Sequence, residues 1–148
     1  MNSSKDLGTL VDDIYSKIEV LSSGEDIELT DEMISDFGES MKAALVHWCT
    51  PKKQSKGLRM SNIGRPKRQL WYEQKSDKPP PPLKAPTHIK FLYGHLLEEV
   101  LLLLIKMSGH DLSDEQKEVE VDGIVGHMDC KIDGEVVDIK TASNFGFK

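Results

Sequence analysis

Cysteine is scarce in this chain, and no hydrophobic run is long enough for a membrane. The two cysteines, Cys49 and Cys130, lie far apart without metal-ligand spacing. That argues against a disulfide framework or a zinc site and leaves two reduced thiols, the pattern of a cytosolic protein. The longest apolar stretch, Val100 to Ile105, is far too short to cross a bilayer. The N-terminal "MNSSKDLGTLVDD" has neither an apolar run nor a basic lead, so it does not read as a secretory signal. No internal repeat is visible. A chain of 148 residues holds one ordinary domain. These absences point to a soluble, cytoplasmic protein with no membrane partner.

Charge of one sign is missing locally, and this is more informative than the net value of -6. Residues 1–50 carry 11 acidic and 3 basic side chains. The stretch Pro51 to Leu70 carries seven basic residues (Lys52, Lys53, Lys56, Arg59, Arg65, Lys67 and Arg68) and no acidic one. A phosphate backbone responds to the local patch, so an acidic pI of 5.4 does not exclude a nucleic-acid partner.

Hydrophobic spacing predicts an amphipathic helix over Leu7 to Leu21, ended by "SSGED". A second helix is expected from Thr30, an N-cap followed by Asp31 and Glu32, to about Trp48, with Pro51 closing it. Ser61 is placed to cap a short helix whose start Pro66 limits. "SDKPPPPLKAP" reads as a stiff polyproline spacer or, less simply, a partner-docking tract. From Thr87 to Gly109 runs a helix that is apolar nearly all round and is expected to be buried on most sides. On such a helix Glu98 is costly without a partner, and His95 and Glu99 lie beside it. Short strands follow.

The last of these strands carry the chemistry. In "IVGHMDCKIDGEVVDIKT", Asp133-Gly134 is the two-residue pair of a type I′ hairpin. The register that follows sets Cys130 opposite Val137, Asp129 opposite Asp138, Met128 opposite Ile139 and His127 opposite Lys140. Alternation puts Ile124, Met128, Cys130, Ile132, Val137 and Ile139 on one face and His127, Asp129, Asp138 and Lys140 on the other. Two aspartates at roughly 4.5–5.5 Å between Cβ atoms destabilise a sheet. A protonated carboxyl, an intervening cation or a different register would relieve them. A solvated hairpin face also carries such residues, but Glu98 on the apolar helix favours a metal-centred site.

With these residues together, the sequence resembles the PD-(D/E)xK nuclease superfamily, in particular RecB-like and phage recombination exonucleases. "GHLLE" is similar to the G-x-x-x-E helix motif, with Glu98 as its acid. "GHMDC" is similar to the strand ending in the first metal aspartate, Asp129. "VVDIKTAS" resembles the (D/E)-x-K motif, with Asp138 and Lys140. "SNIGRPKRQLWYE" resembles an upstream S-x-x-G-x-x-x-R segment, with Ser61 and Arg68. The likeness covers roughly Met60 to Thr141. The upstream segment lacks the cysteines by which some relatives hold an iron–sulfur cluster.

The resemblance implies an α/β fold: a restriction-endonuclease-like core, with a buried helix followed by a short mixed sheet. With the residue reading, this divides the chain into an acidic helical N-terminal extension (1–50), for which the family does not account, a basic segment and proline-rich spacer (51–86), and a nuclease core (87–148). Family members continue past the (D/E)-x-K strand, whereas this sequence stops eight residues after Lys140. The expectation is therefore a core truncated at its C-terminus, complete as a longer chain, a homo-oligomer or with a partner protein.

The implied function is Mg²⁺- or Mn²⁺-dependent hydrolysis of DNA, double-stranded with an end, in the cytoplasm (the host's if the source is viral). Glu98, Asp129, Asp138 and the Ile139 carbonyl would hold the metal, with Lys140 completing the catalytic set. Lys52, Lys53, Arg59, Ser61, Arg65, Lys67 and Arg68 would follow the DNA backbone, and His95 and His127 would be accessory. Two rival readings are a DNA-binding module of the same fold without turnover and a partner-docking protein.

Overall fold

The computed structural model describes residues 5–51, 58–76 and 81–140. Lys52, Lys53 and Lys56, part of the proline tract, and the residues after Lys140 lie outside the described residues.

Helix α1 (Leu10–Glu19) continues into a 3₁₀ turn, Val20–Ser23, that ends at Gly24 in the left-handed region. Helix α2 (Asp31–Cys49) starts as the sequence predicts: Thr30 is its N-cap, and its hydroxyl oxygen accepts from the Met33 N–H at 3.1 Å. A 3₁₀ turn, Met60–Asn62, precedes α3 (Lys67–Lys75). Ser61 sits inside that turn and does not cap α3, whose N-cap position is Pro66. Helix α4 (Ala85–Met107) begins before the expected Thr87, because Pro86 suits a first helical turn, where its missing N–H costs nothing.

Two hairpins follow. Strands β1 (Leu112–Ser113) and β2 (Glu118–Val121) run antiparallel to β4 (Cys130–Ile132) and β3 (Ile124–His127) respectively, and β5 (Glu135–Val137) pairs with β4. Both sheets are antiparallel, β1-β4-β5 and β2-β3, where a mixed sheet was expected. The parallel contact observed is an isolated bridge between Arg59 and Val125. The fold is thus mixed α/β, with four α-helices and small antiparallel sheets among the described residues.

Both turns are Asp-Gly. Asp133 (φ 52°) and Gly134 (φ 85°) meet the positive-φ requirement of a type I′ turn, and so do Asp122 (φ 53°) and Gly123 (φ 74°). The first turn sets the register expected from the sequence: Cys130 with Val137, Lys131 with Val136 and Ile132 with Glu135. The second produces a hairpin that the sequence reading passed over.

That missed hairpin corrects the expected strand through residues 124–132. The chain leaves one sheet at His127 and enters the other at Cys130, so His127 pairs with Glu118 rather than Lys140. Between them, Met128 donates to the Lys117 carbonyl (3.0 Å), and the Asp129 carbonyl accepts from the Gln116 N–H (2.8 Å). Four residues, 114–117, lie across from three, 128–130. The extra residue is absorbed by positive φ at Asp114 (53°) and Gln116 (51°), a bulge that re-aims side chains where it occurs.

Cys130 and Ile132 face inward with Leu102 and Ile105 of α4 to form the buried core. Leu10 and Ile14 of α1 and Val137 and Ile139 pack against it, as the alternation predicts for the hairpin residues. Burial of α4 is narrower than its composition suggests, since Leu102 and Ile105 alone are fully buried on it. The first half of α4 runs beside α2, with the Trp48 indole N–H donating to the His88 carbonyl (2.8 Å). Ile89, Phe91, Tyr93 and Leu97 stay exposed, while the core that α1 and the sheet cover is built on Leu102 and Ile105. No helix among the described residues is long and apolar enough to cross a membrane.

Candidate acidic cleft

Beyond the pair Cys130–Val137, regular strand pairing stops and side chains take over. One Asp129 oxygen, Oδ2, accepts from the Ile139 N–H at 2.7 Å. The Lys140 ammonium donates to Asp138 Oδ1 at 2.6 Å. The two aspartates that register would set against each other are thus relieved by separate partners, one backbone and one cationic.

Glu98 reaches the same region from α4. Its Oε1 accepts from the Gln116 side-chain amide at 2.6 Å, and Gln116 is the residue whose own N–H holds the Asp129 carbonyl. Gln116 therefore links the helix acid to the strand acid. It has no motif of its own, and no sequence signal points to it. Burial, then the negative charges of Asp129 and Glu99, push the Glu98 carboxyl above its usual range, while Gln116 and Lys140 pull it back. The hydrogen bond to Asp138 holds Lys140 above the usual lysine value. Next to Asp129, burial pushes the Cys130 thiol up to about 11, which leaves it unreactive.

The second chain segment at the site is held by a close backbone approach. Met60 lies over Gly126, where an added Cβ would stand 2.7 Å from Met60 Sδ. With the Arg59–Val125 bridge, this seats residues 58–61 along β3. A cleft of about 1410 Å³ opens between them, lined among others by Arg59, Ser61, His127, Asp129, Asp138 and Lys140.

Not all the expected residues meet. Arg65 pairs with Glu73 at 3.2 Å, Arg68 lies 5.8 Å from the Tyr72 ring centre, and Lys67 opens α3. None of the three lines the cleft. His127 does, with Nε2 3.6 Å from Glu118. His95 does not line it; its ring stacks edge-on to His47 at 5.7 Å between centroids.

For a hard divalent cation the donor chemistry fits: carboxylate oxygens from two elements crowd one another, and a cation beside them lowers that cost. The convergence is partial. Among the described residues no three His, Cys, Asp or Glu side chains form a metal-holding group, and Asp138 is engaged by Lys140. Comparison of the chain with protein-family models, with curated proteins and with solved structures finds no match to any of them, so what the cleft does must be argued from its own residues.

Proposed function

We propose that the chain is a metal-dependent deoxyribonuclease with a restriction-endonuclease-like core of the PD-(D/E)xK type. The observation that carries this reading is the cleft itself. It brings Arg59 and Ser61, from the basic segment, to Asp129, Asp138 and Lys140, from the last hairpin. Glu98 stands close enough to Asp129 and Lys140 for their charges to shift its carboxyl.

Glu98, Asp129, Asp138 and the Ile139 carbonyl hold Mg²⁺ or Mn²⁺ in this reading. Such an ion, when bound, would supply an activated water and offset charge on the scissile phosphate. Arg59 and the Ser61 hydroxyl hold the phosphate at the cleft wall, and Lys140 orients the attacking water or offsets the charge that builds on the phosphate. The bulge at Gln116 keeps the two acids in one relation as substrate enters.

The test is digestion of linear and circular DNA with Mg²⁺, Mn²⁺ or EDTA. Metal-dependent loss of DNA, absent in Asp129→Ala and Lys140→Ala, supports the reading, and attack on linear DNA alone marks an exonuclease. Cleavage unchanged in the clean Lys140 variant sinks it. A second reading, a DNA-binding module without turnover, is favoured by one observation: Asp138 is already paired with Lys140 at 2.6 Å. It predicts salt-sensitive DNA binding and no digestion with either metal.

A further inference from the structure

Helix α3 is exposed at every described position except Leu70, which is half-buried. It has nine residues, KRQLWYEQK, too few to persist alone in water. Two large aromatic residues stand side by side on it, Trp71 at 55% and Tyr72 at 53% exposure. Their rings meet edge to face with centroids 5.0 Å apart, and the Arg68 guanidinium lies against Tyr72. The helix's acid, Glu73, is occupied by Arg65 at 3.2 Å and by the Gln69 amide at 2.8 Å. Lys67, Arg68 and Lys75 complete a basic surface, and Gln74, on the same helix, lines the acidic cleft.

The arrangement discriminates between partners. A helix that docks on protein presents an apolar stripe at i, i+3 and i+4. The apolar residues of α3 are consecutive (Leu70, Trp71, Tyr72), so they fan round the axis and are bounded by cations. Aromatic faces interleaved with positive charge bind unpaired bases, whose π-faces a duplex keeps stacked away.

We propose that α3 is a stacking platform for single-stranded nucleic acid, with Trp71 and Tyr72 receiving unpaired bases and Lys67, Arg68 and Lys75 following the phosphates. Gln74 marks where the strand passes into the cleft, so this inference rests on the nuclease reading for the strand's destination. The substrate it selects is an unpaired strand or a frayed end rather than a closed duplex.

The test is tryptophan fluorescence in EDTA at low salt, on the Trp48→Phe background so that Trp71 alone reports. An oligothymidylate and an oligouridylate of about 15 nucleotides separate DNA from RNA as the source of the unpaired strand. A hairpin-capped duplex of equal charge is the control. Quenching by a single strand is expected. Read instead by the anisotropy of the same oligonucleotides carrying a dye, single-strand binding should weaken about tenfold in Trp71→Ala, Trp71→Phe should restore most of it, and duplex binding should change little. Tyr72→Ala gives an independent, smaller loss should Trp71→Ala fold poorly. Equal affinities in Trp71→Ala and wild type, or equal losses for single strand and duplex, overturn the proposal. So does the absence of single-strand binding, which would leave α3 a protein-docking helix. Because EDTA removes turnover, the two readings fail separately. Trp71-dependent binding without cleavage under either metal removes only the nuclease, and cleavage with Trp71-independent binding removes only the platform.

Discussion

The β4–β5 hairpin has a polar cluster at each end, and the two are finished differently. At its turn, the His110 ring, with its side chain 0% exposed, lies between two carboxylates: Nδ1 is 2.6 Å from Asp133 and Nε2 is 3.0 Å from Asp13. Asp133 also accepts from the Asp111 N–H, while Asp13 takes the Thr9 hydroxyl and the Lys5 ammonium. Every group there is paired, and the cluster ties α1 to the sheet. At the open end, Asp129, Asp138 and Lys140 line a cleft that Glu98 does not itself line, and burial, then the Asp129 and Glu99 charges, push the Glu98 carboxyl up. A closed cluster holds a fold together, whereas a crowded cluster on a cleft is where chemistry is expected. Substitutions at the two ends should therefore separate stability from activity.

The largest effect is expected at the open end. If the chain is the proposed nuclease, Lys140→Ala and Asp129→Ala should lower cleavage by roughly a thousandfold or more, since each removes a group assigned there to the phosphate or its metal. Lys140→Ala breaks only an exposed ion pair, with side chains 74% and 65% exposed, so its melting temperature should stay near wild type. A large fall in melting temperature would make Lys140 structural and blur the contrast.

The turn end should behave in the opposite way. His110→Ala removes the partner of a nearly buried carboxylate and should cost roughly 2–3 kcal/mol in denaturant unfolding, with activity per folded molecule unchanged. Its pH signature has a definite sign. The His110 hydrogen bond is the largest cause holding Asp133 below the usual 3.8. The resulting stability is present above the unfolded value and is lost as pH falls through the lower folded value. Asp133→Asn should thus be less stable than wild type at neutral pH, with the difference shrinking below about pH 4. A difference that stays constant well below that pH would show that the hydrogen bond is not its source.

Between the two lies the wall of the cleft. Gly126→Ala would place a Cβ 2.7 Å from Met60 Sδ and 2.8 Å from Met60 Cβ, so the 58–61 segment must shift off β3. The expected cost is about 2 kcal/mol, with a weakened grip on DNA. Met60→Ala in the same chain should restore only part of it, because the Met60 Cβ itself is in the way. Full stability in Gly126→Ala would mean that the segment yields freely and that Arg59 and Ser61 are not held at the cleft.

What the sequence made legible follows local rules. Asp133-Gly134 demands positive φ at both positions, and the register of β4 and β5 follows from that alone. Thr30 announces α2 by capping it. Asp122-Gly123 carries the same signal as the later turn; reading residues 124–132 as one strand depended on overlooking it. The bulge at 114–117 has no such mark, because Asp114 and Gln116, not glycines, adopt positive φ there. The link from Gln116 to Glu98 is tertiary and has no local trace. The exposure of α4 was hidden for a related reason: an apolar helix states that it wants cover, but not whether the chain supplies it.

The smallest effect tests whether the crowding at Glu98 is real. Burial and the Asp129 charge raise its folded carboxyl above the unfolded value, so the ionised form is disfavoured on folding. The sign is opposite to that of Asp133: stability falls as pH rises from the unfolded value through the folded one. Glu98→Gln removes this penalty while its oxygen can still accept from Gln116. It should therefore be slightly more stable than wild type at neutral pH, by less than about 1 kcal/mol given partial solvent screening. The gain should vanish in acid. Mn²⁺ binding, followed by calorimetry, should weaken in the same variant, the exchange of stability for function expected of a site residue. A Glu98→Gln protein that is less stable at neutral pH, with Mn²⁺ binding intact, would make Glu98 a structural partner of Gln116 and leave Asp129 without its second acid.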